Sequence, residues 1–302
     1  MQLSLGPIQY FWPRPTVEEF YQTHVNSDVD IIYLGETVCS KRRFLKPAEW
    51  IDLAKELSAT GKQVVLSTLT LIEAKSDMAG VQRLCNNGDI AVEANDMGAV
   101  QLMADKSLPF VAGPTLNIYN AHTLKVLHQQ GLMRWVMPVE LDANTLKDIL
   151  ADADAMGIKD KIETEVCSFG HMPLAFSARC FTARFRKLAK DDCQLVCQDY
   201  PEGLAMDSQE GEQFFTINGI QTQSGKIQYL LPHWKQMEEV GVDIMRLSPQ
   251  PTHMADIIQR YWQVIKGNET NTDVEAWLTA PACDGYWRGE PGMDYIETQF
   301  ET

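Results

Sequence analysis

Cys180, Cys193 and Cys197 follow one another with the spacing C-x12-C-x3-C in the stretch RCFTARFRKLAKDDCQLVC. Thiols so spaced can do three things. Four soft thiolates converging on one centre hold an iron–sulfur cluster. The same donors suit zinc, which more often takes C-x2-C or C-x4-C pairs. Three small buried hydrophobes are the third reading. A ligand set of the usual four is one short, and the chain has four other cysteines: Cys39, Cys85, Cys167 and Cys283.

The elements that carry them come from the apolar pattern. Short runs rich in Val, Ile and Leu (LSLGPI, DIIYLG, QVVLSTL, DIAVEA, PFVAGPTLN, MRWVMPVEL, KIETEVCSF) alternate with helical stretches. Helix signals recur between them: Pro47 opens one helix that ends on Gly61, Asn95 or Asp96 caps another, and further helices are expected over 120–130 and 144–156. The runs are continuous rather than alternating, as in strands covered on both faces. Seven such units precede an interruption at about residues 168–231, and an eighth run, VDIMRLS, with a helix over 252–266, follows it. The series predicts an α/β fold, a (β/α)8 barrel over residues 1–302 as one domain, with a doubly wound open sheet as the competitor. The interruption carries the three cysteines and GEQFFTINGIQTQSG, which reads as a small β-meander. Following the seventh strand, it emerges on the C-terminal face, where barrels carry active sites.

This topology sorts the other cysteines. Cys167 lies within the seventh strand and suits packing. Cys85 ends a helix at the opposite face, and Cys283 in the acidic tail has no placement. Cys39 falls just past the second strand, on the same rim as the insertion, and is the best fourth ligand on topology. Lys41, Arg42 and Arg43 follow it, and Arg179, Arg184, Arg186, Lys187 and Lys190 accompany the other three. Eight of 26 basic residues thus accompany the four thiols in a chain of net charge −15. Cations so placed offset an anionic cluster or hold an anionic substrate, unless they form two ordinary exposed helix faces. Glu36, Asn117, Glu140 and Glu165 are expected at strand ends facing the barrel mouth, as acid/base or substrate-binding groups or as structural partners.

Other chemistries lack their signatures. G-x-G-x-x-G after a strand, a Walker A sequence, H-E-x-x-H and G-x-S-x-G are all missing, and six scattered histidines show no zinc-like clustering. The acidic balance opposes nucleic-acid binding. MQLSLGPIQYFWPRP is no signal peptide, and no apolar run is long enough to span a bilayer, so a cytoplasmic location is expected.

The segment ETEVCSFGHMPLAFSARC, Glu165 to Cys180, resembles the signature of the collagenase-like peptidase family of unknown catalytic type, ending here in Ser177-Ala178-Arg179-Cys180. Pro173 stands where that family keeps a cysteine. The stretch Gly35-Glu36-Thr37-Val38-Cys39-Ser40-Lys41-Arg42 is similar to the replacement-ligand loop of the family's ubiquinone-biosynthesis branch. That resemblance implies a 4Fe-4S cluster on Cys39, Cys180, Cys193 and Cys197. It implies a heterodimer with a UbiU-like paralogue and an accessory UbiT-like lipid-binding protein. The implied activity is oxygen-independent hydroxylation of the ubiquinone precursor ring, with prephenate as oxygen donor. His171 and Arg179 lie within the signature and are, with Glu36 and Glu165, the catalytic candidates. A peptidase and an RNA-hydroxylating member of the same family are the alternatives.

Overall fold

Residues 1–295 are described by the computed structural model, and the expected domain boundary at residue 302 lies outside them. β1 (Gln2–Leu5) stops at Gly6-Pro7, where proline withdraws a backbone donor. Strand–helix units then follow in series: α1 (Arg14–His24), β2 (Ile31–Leu34), α2 (Pro47–Ser58), β3 (Gln63–Ser67), α3 (Lys75–Cys85) and β4 (Ala91–Ala94). The series continues with α4 (Met97–Ala104), β5 (Phe110–Ala112), α5 (Ala121–Gln129), β6 (Leu132–Val136), α6 (Ala143–Ala155) and β7 (Glu163–Phe176). After β7 come α7 (Phe181–Phe185), β8 (Leu204–Asp207), β9 (Gln213–Asn218) and β10 (Gln221–Tyr229). The chain closes with α8 (Trp234–Val240), β11 (Ile244–Leu247), α9 (Met254–Ile265), β12 (Ala282–Cys283) and α10 (Gly285–Arg288).

β1 to β7 pair in order, all parallel, and β11 completes the ring between β1 and β7. This is the expected eight-stranded barrel with helices between strands. The caps follow local chemistry. Asp96, not Asn95, accepts from Gly98 N–H at 2.6 Å, and Asn120 accepts from Thr123 N–H at 2.9 Å. α6 begins earlier than expected because Asp142 caps it, accepting from the Asn144 and Thr145 N–H groups.

The insertion differs from its expected outline. β7 does not end near Phe169. It runs 14 residues, and its second half leaves the ring to pair antiparallel with β10. Gly170 and Pro173 resemble stop signals in the sequence, yet both lie inside the strand. Gly170 has φ +114°, and a Cβ there would lie 2.5 Å from the Ser248 Cβ, so the strand bends against the β11 loop. Pro173 sits opposite Gln223 at a register shift, where a missing donor does least harm. β10, β9 and β8 then form the predicted meander, joined edge to edge with the barrel sheet. Cys283, unplaced from sequence, lies in β12 beside β10 and is buried with Cys167 and Met172.

Two apolar layers result. Leu5, Leu34, Leu66, Trp135 and Met245 pack outward under the helices, while Ile31, Tyr33, Val65, Val111, Val136 and Ile244 fill the ring. The ring also holds charge. Arg246 donates to Glu93 at 2.7 Å and to Glu165 at 2.8 Å, and its guanidinium lies 4.0 Å from the Tyr33 ring centre. Tyr33 and Ser4 hydroxyls each donate to Glu165 at 2.5 Å, and Arg134 donates to the Tyr33 oxygen at 3.0 Å.

Gly80 sits mid-helix in α3, and a Cβ there meets only the Pro47 ring, at 3.5 Å. Gly80→Ala is therefore expected to raise stability by about 0.5–1 kcal/mol, read as a higher urea midpoint. An unchanged or lower midpoint would contradict this packing of α3 on α2.

Candidate metal centre at the barrel rim

The rim loop after β2 is built around Gly35. Its φ of +139° brings the backbone within 2.3 Å of the Ser67 carbonyl oxygen, measured from where a Cβ would stand. Glu36 comes next, and its Oε1 accepts from the Val38 N–H at 2.9 Å and the Cys39 N–H at 3.0 Å. A carboxylate that binds two following amides fixes the turn, so Cys39 is held by main-chain geometry. Burial raises the Glu36 carboxyl above its ordinary range, against the pull of Arg42 and of those two N–H groups.

Arg42 ties this loop to the rest of the rim. Its side chain is 1% exposed. Nη1 donates to the Gln9 carbonyl and Nη2 to Asn218 Oδ1, both at 2.7 Å, and Glu36 lies 3.9 Å away. The guanidinium also faces the thiols of Cys39 and Cys197. Burial pushes the Cys39 thiol up to about 11, with Arg42 opposing, and the neighbouring Cys197 adds to the rise. Burial likewise raises Cys197, again opposed by Arg42, and Cys180 contributes as a further like charge.

The insertion brings the other thiols to this point. Phe181 N–H donates to the Gly219 carbonyl and Gly219 N–H to the Thr182 hydroxyl, locking α7 onto the β9–β10 turn. Cys180 caps α7, its sulfur accepting from the Ala183 N–H at 3.4 Å. Between Cys193 and Cys197, Gln194 and Leu195 both take left-handed backbone angles, φ +50° and +55°. Two such residues in succession cost about 1–3 kcal/mol each, a strain that concentrates at ligand-holding turns. The C-x3-C pair thus lies on a tight loop. Lys41 Nζ donates to the Lys190 carbonyl at 2.6 Å, which docks the Cys39 loop directly on the insertion.

Cys39, Cys180 and Cys197 are therefore neighbours across about 140 residues of sequence, and Cys193 opens the turn that ends on Cys197. Among the described residues no three His, Cys, Asp or Glu side chains are drawn up tightly enough to hold one metal ion. By donor chemistry alone, four soft thiolates fit either zinc or a 4Fe-4S cluster.

The eight basic residues divide. Lys41, Arg42, Arg186 and Lys190 are engaged with Asp191, Glu36, Asp199 and Glu73 respectively. Arg43, Arg179, Arg184 and Lys187 make no ion pair among the described residues. Arg42 alone of the eight is buried. The eight are thus one buried cation, two half-buried lysines (Lys41 and Lys190) and five exposed residues.

The acid/base candidates separate into three places. Glu36 belongs to the Cys39 loop. Asn117 and Glu140 line a cavity of about 240 Å³ at the barrel mouth, with Thr70, Thr115 and Pro173. Glu165, expected at the mouth, instead lies fully buried inside the ring; it is the third residue of β7, opposite Ile244 at the start of β11. His171 is buried beside Gln223 and Gln250 in a void of about 10 Å³, room for one water. It shares Nδ1 with the Ser224 carbonyl at 2.8 Å, and burial lowers its pKa, favouring the neutral ring. Arg179 is exposed next to Cys180.

The hub role of Arg42, with Gln9 and Asn218, is absent from the sequence reading, since only distant pairing reveals it. The polar ring interior did leave a signal: Glu93, Arg134 and Arg246 each interrupt an apolar run.

The U32 peptidase Mk0906 is 14% identical, covering 83% of this chain and 93% of that one, with a TM-score of 0.45. Dihydropteroate synthase from Thermus thermophilus is 11% identical over 89% of this chain and 94% of its own, with a TM-score of 0.44. Thiamine phosphate pyrophosphorylase from Pyrococcus furiosus is 8% identical over 87% and 96%, with a TM-score of 0.46. The model of peptidase family U32 matches residues 17–286, a span that takes in the Cys39 loop, the extended β7 and the three-cysteine insertion. The chain belongs to peptidase family U32.

Proposed function

We propose that this chain is a UbiV-like iron–sulfur subunit of a heterodimeric complex that hydroxylates the ubiquinone precursor ring without oxygen. A UbiU-like paralogue is its partner, a UbiT-like lipid-binding protein its accessory, prephenate the oxygen donor and the cytoplasm its location. One observation carries the reading. Cys39, the ligand called for by Pro173 in the family signature, shares an electrostatic environment with Cys197 and the buried Arg42, and Cys197 does so with Cys180. Among the described residues no helix is long and apolar enough to cross a membrane.

Cys39, Cys180, Cys193 and Cys197 would hold the cluster, which supplies one-electron transfer. Arg42 offsets anionic charge at the thiolates, and its bonds to Gln9 and Asn218 fix its position. Glu36 holds the Cys39 amide, so the loop need not reorganise to present its thiolate. The mouth cavity beside Asn117 and Glu140 is the nearest thing to a substrate pocket inside the barrel fold, and both side chains can orient a hydroxylated ring.

Protein purified without oxygen is expected to be brown and to carry about four irons and four sulfides per chain. Colourless protein with stoichiometric zinc would contradict the proposal.

A further inference from the structure

A second cavity, of about 440 Å³, opens between α2 and α3, outside the ring and beside the Cys39 loop. Its volume is that of a small-molecule site. Leu45, Trp50 and Leu84 give it an apolar floor, and all three are buried beneath it. Arg43, Lys46 and Arg83 stand around it, exposed, and none makes an ion pair among the described residues. Unpaired cations at one cleft are notable in a chain of net charge −15.

Two carboxylates and a fourth cation also border the cavity: Glu36 is paired with the buried Arg42 at 3.9 Å, and Asp77 is one negative charge against the three exposed cations. Glu36 is bound to the Val38 and Cys39 amides. Asp77 accepts from the Glu73 and Ala74 amides and from the Ser76 hydroxyl. Pro47 and Ala48, in the first turn of the 12-residue α2, line the wall, and the N-terminus of that helix is already capped by Glu49, which accepts from the Lys46 N–H at 2.8 Å.

We propose that this cleft binds a small ring-bearing carboxylate, its ring laid on the Trp50–Leu84 floor and its carboxylate held by Arg43, Lys46 and Arg83. A guanidinium fork matches a carboxylate in geometry as well as charge, and an apolar floor rewards the ring. A neutral ring forfeits the first contribution and a bare carboxylate the second. The cavity shares Glu36, Ser40 and Arg42 with the Cys39 loop, but none of the groups proposed to hold the ligand is a cluster ligand.

The test is calorimetric titration of the full-length chain with phenylacetate, phenylacetamide and acetate. Phenylacetate is expected to bind at least about tenfold more tightly than either analogue, since charge-assisted bonds are worth about 1.5–3 kcal/mol. Arg43→Gln with Arg83→Gln is expected to weaken phenylacetate by about tenfold and leave phenylacetamide unchanged. Both arginines are exposed, so the fold should persist, checked by circular dichroism. Equal binding of acid and amide, an unaffected double variant, or no saturable phenylacetate binding would each overturn the proposal. None of these readouts involves iron, so failure here is distinct from failure of the cluster assignment.

Discussion

Arg246→Met is expected to lower stability by about 3–5 kcal/mol, because it strands two carboxylates inside the barrel. Arg246 lies 2.7 Å from Glu93 and 2.8 Å from Glu165, and both acids are at most 1% exposed. Removing the cation leaves Glu93 without its ion pair and Glu165 with only the more distant Arg134, at 3.9 Å. Urea unfolding of the variant should show a markedly lower midpoint. Adding Glu93→Gln and Glu165→Gln to the same variant should recover part of the loss, since the unpaired charge is then gone. A shift no larger than that of an exposed substitution would contradict the network's role. The same pair predicts acid behaviour. Burial alone would raise the Glu165 carboxyl, but Arg246, then Arg134 and the Ser4 hydroxyl, hold it below its ordinary 4.5. A folded-state value below the unfolded one adds stability that is present above pH 4.5 and is lost as pH falls through the depressed folded value. The Arg246→Met midpoint should depend less on acidification over that window than the wild-type midpoint.

Gly35→Ala is the second large effect, expected to destabilise by about 3 kcal/mol or more, because strain and overpacking add. At φ +139° a side chain is strained whatever the space, and here its Cβ would also meet the Ser67 carbonyl oxygen at 2.3 Å. Backbone cannot rotate away as a flexible side chain can. The displaced segment is the one that carries Glu36 and Cys39, so iron content should fall along with the urea midpoint. Gly61→Ala is the control: its φ is +90° but nothing lies within 4 Å of the added carbon, so only the backbone strain applies. Equal effects at the two glycines would show that the Ser67 contact does not matter.

Much of this fold is written locally. Apolar runs such as Ile31–Leu34 and the VVL of Gln63–Ser67 suit strands covered on both faces, and Asp96, Asn120 and Pro47 mark helix starts by short-range chemistry. The rim position of Cys39 followed from strand order alone. What was not legible depends on pairing partners far away. Gly170 and Pro173 look like strand breakers until β10 supplies a partner and Ser248 a reason for the glycine. Cys283 owes its burial to a two-residue strand that only β10 can nucleate. Glu165 reads as a mouth residue because a carboxylate inside a ring is unfavourable unless paired, and its partners Arg246, Tyr33 and Ser4 come from two distant strands and the first one. Arg42 reads as one cation among eight, and only the fold buries it against two thiols.

Iron and acid-labile sulfide analysis of Cys39→Ala, prepared without oxygen beside wild type and Cys85→Ala, decides whether Cys39 joins three cysteines of a distant insertion around one cluster. Cys85 is buried at the end of α3, away from the rim, so its loss should spare the cluster. Wild type and Cys85→Ala are expected to retain about four irons and four sulfides per chain, and Cys39→Ala to lose most of both. A full iron complement in Cys39→Ala, or none in wild type, would contradict the account.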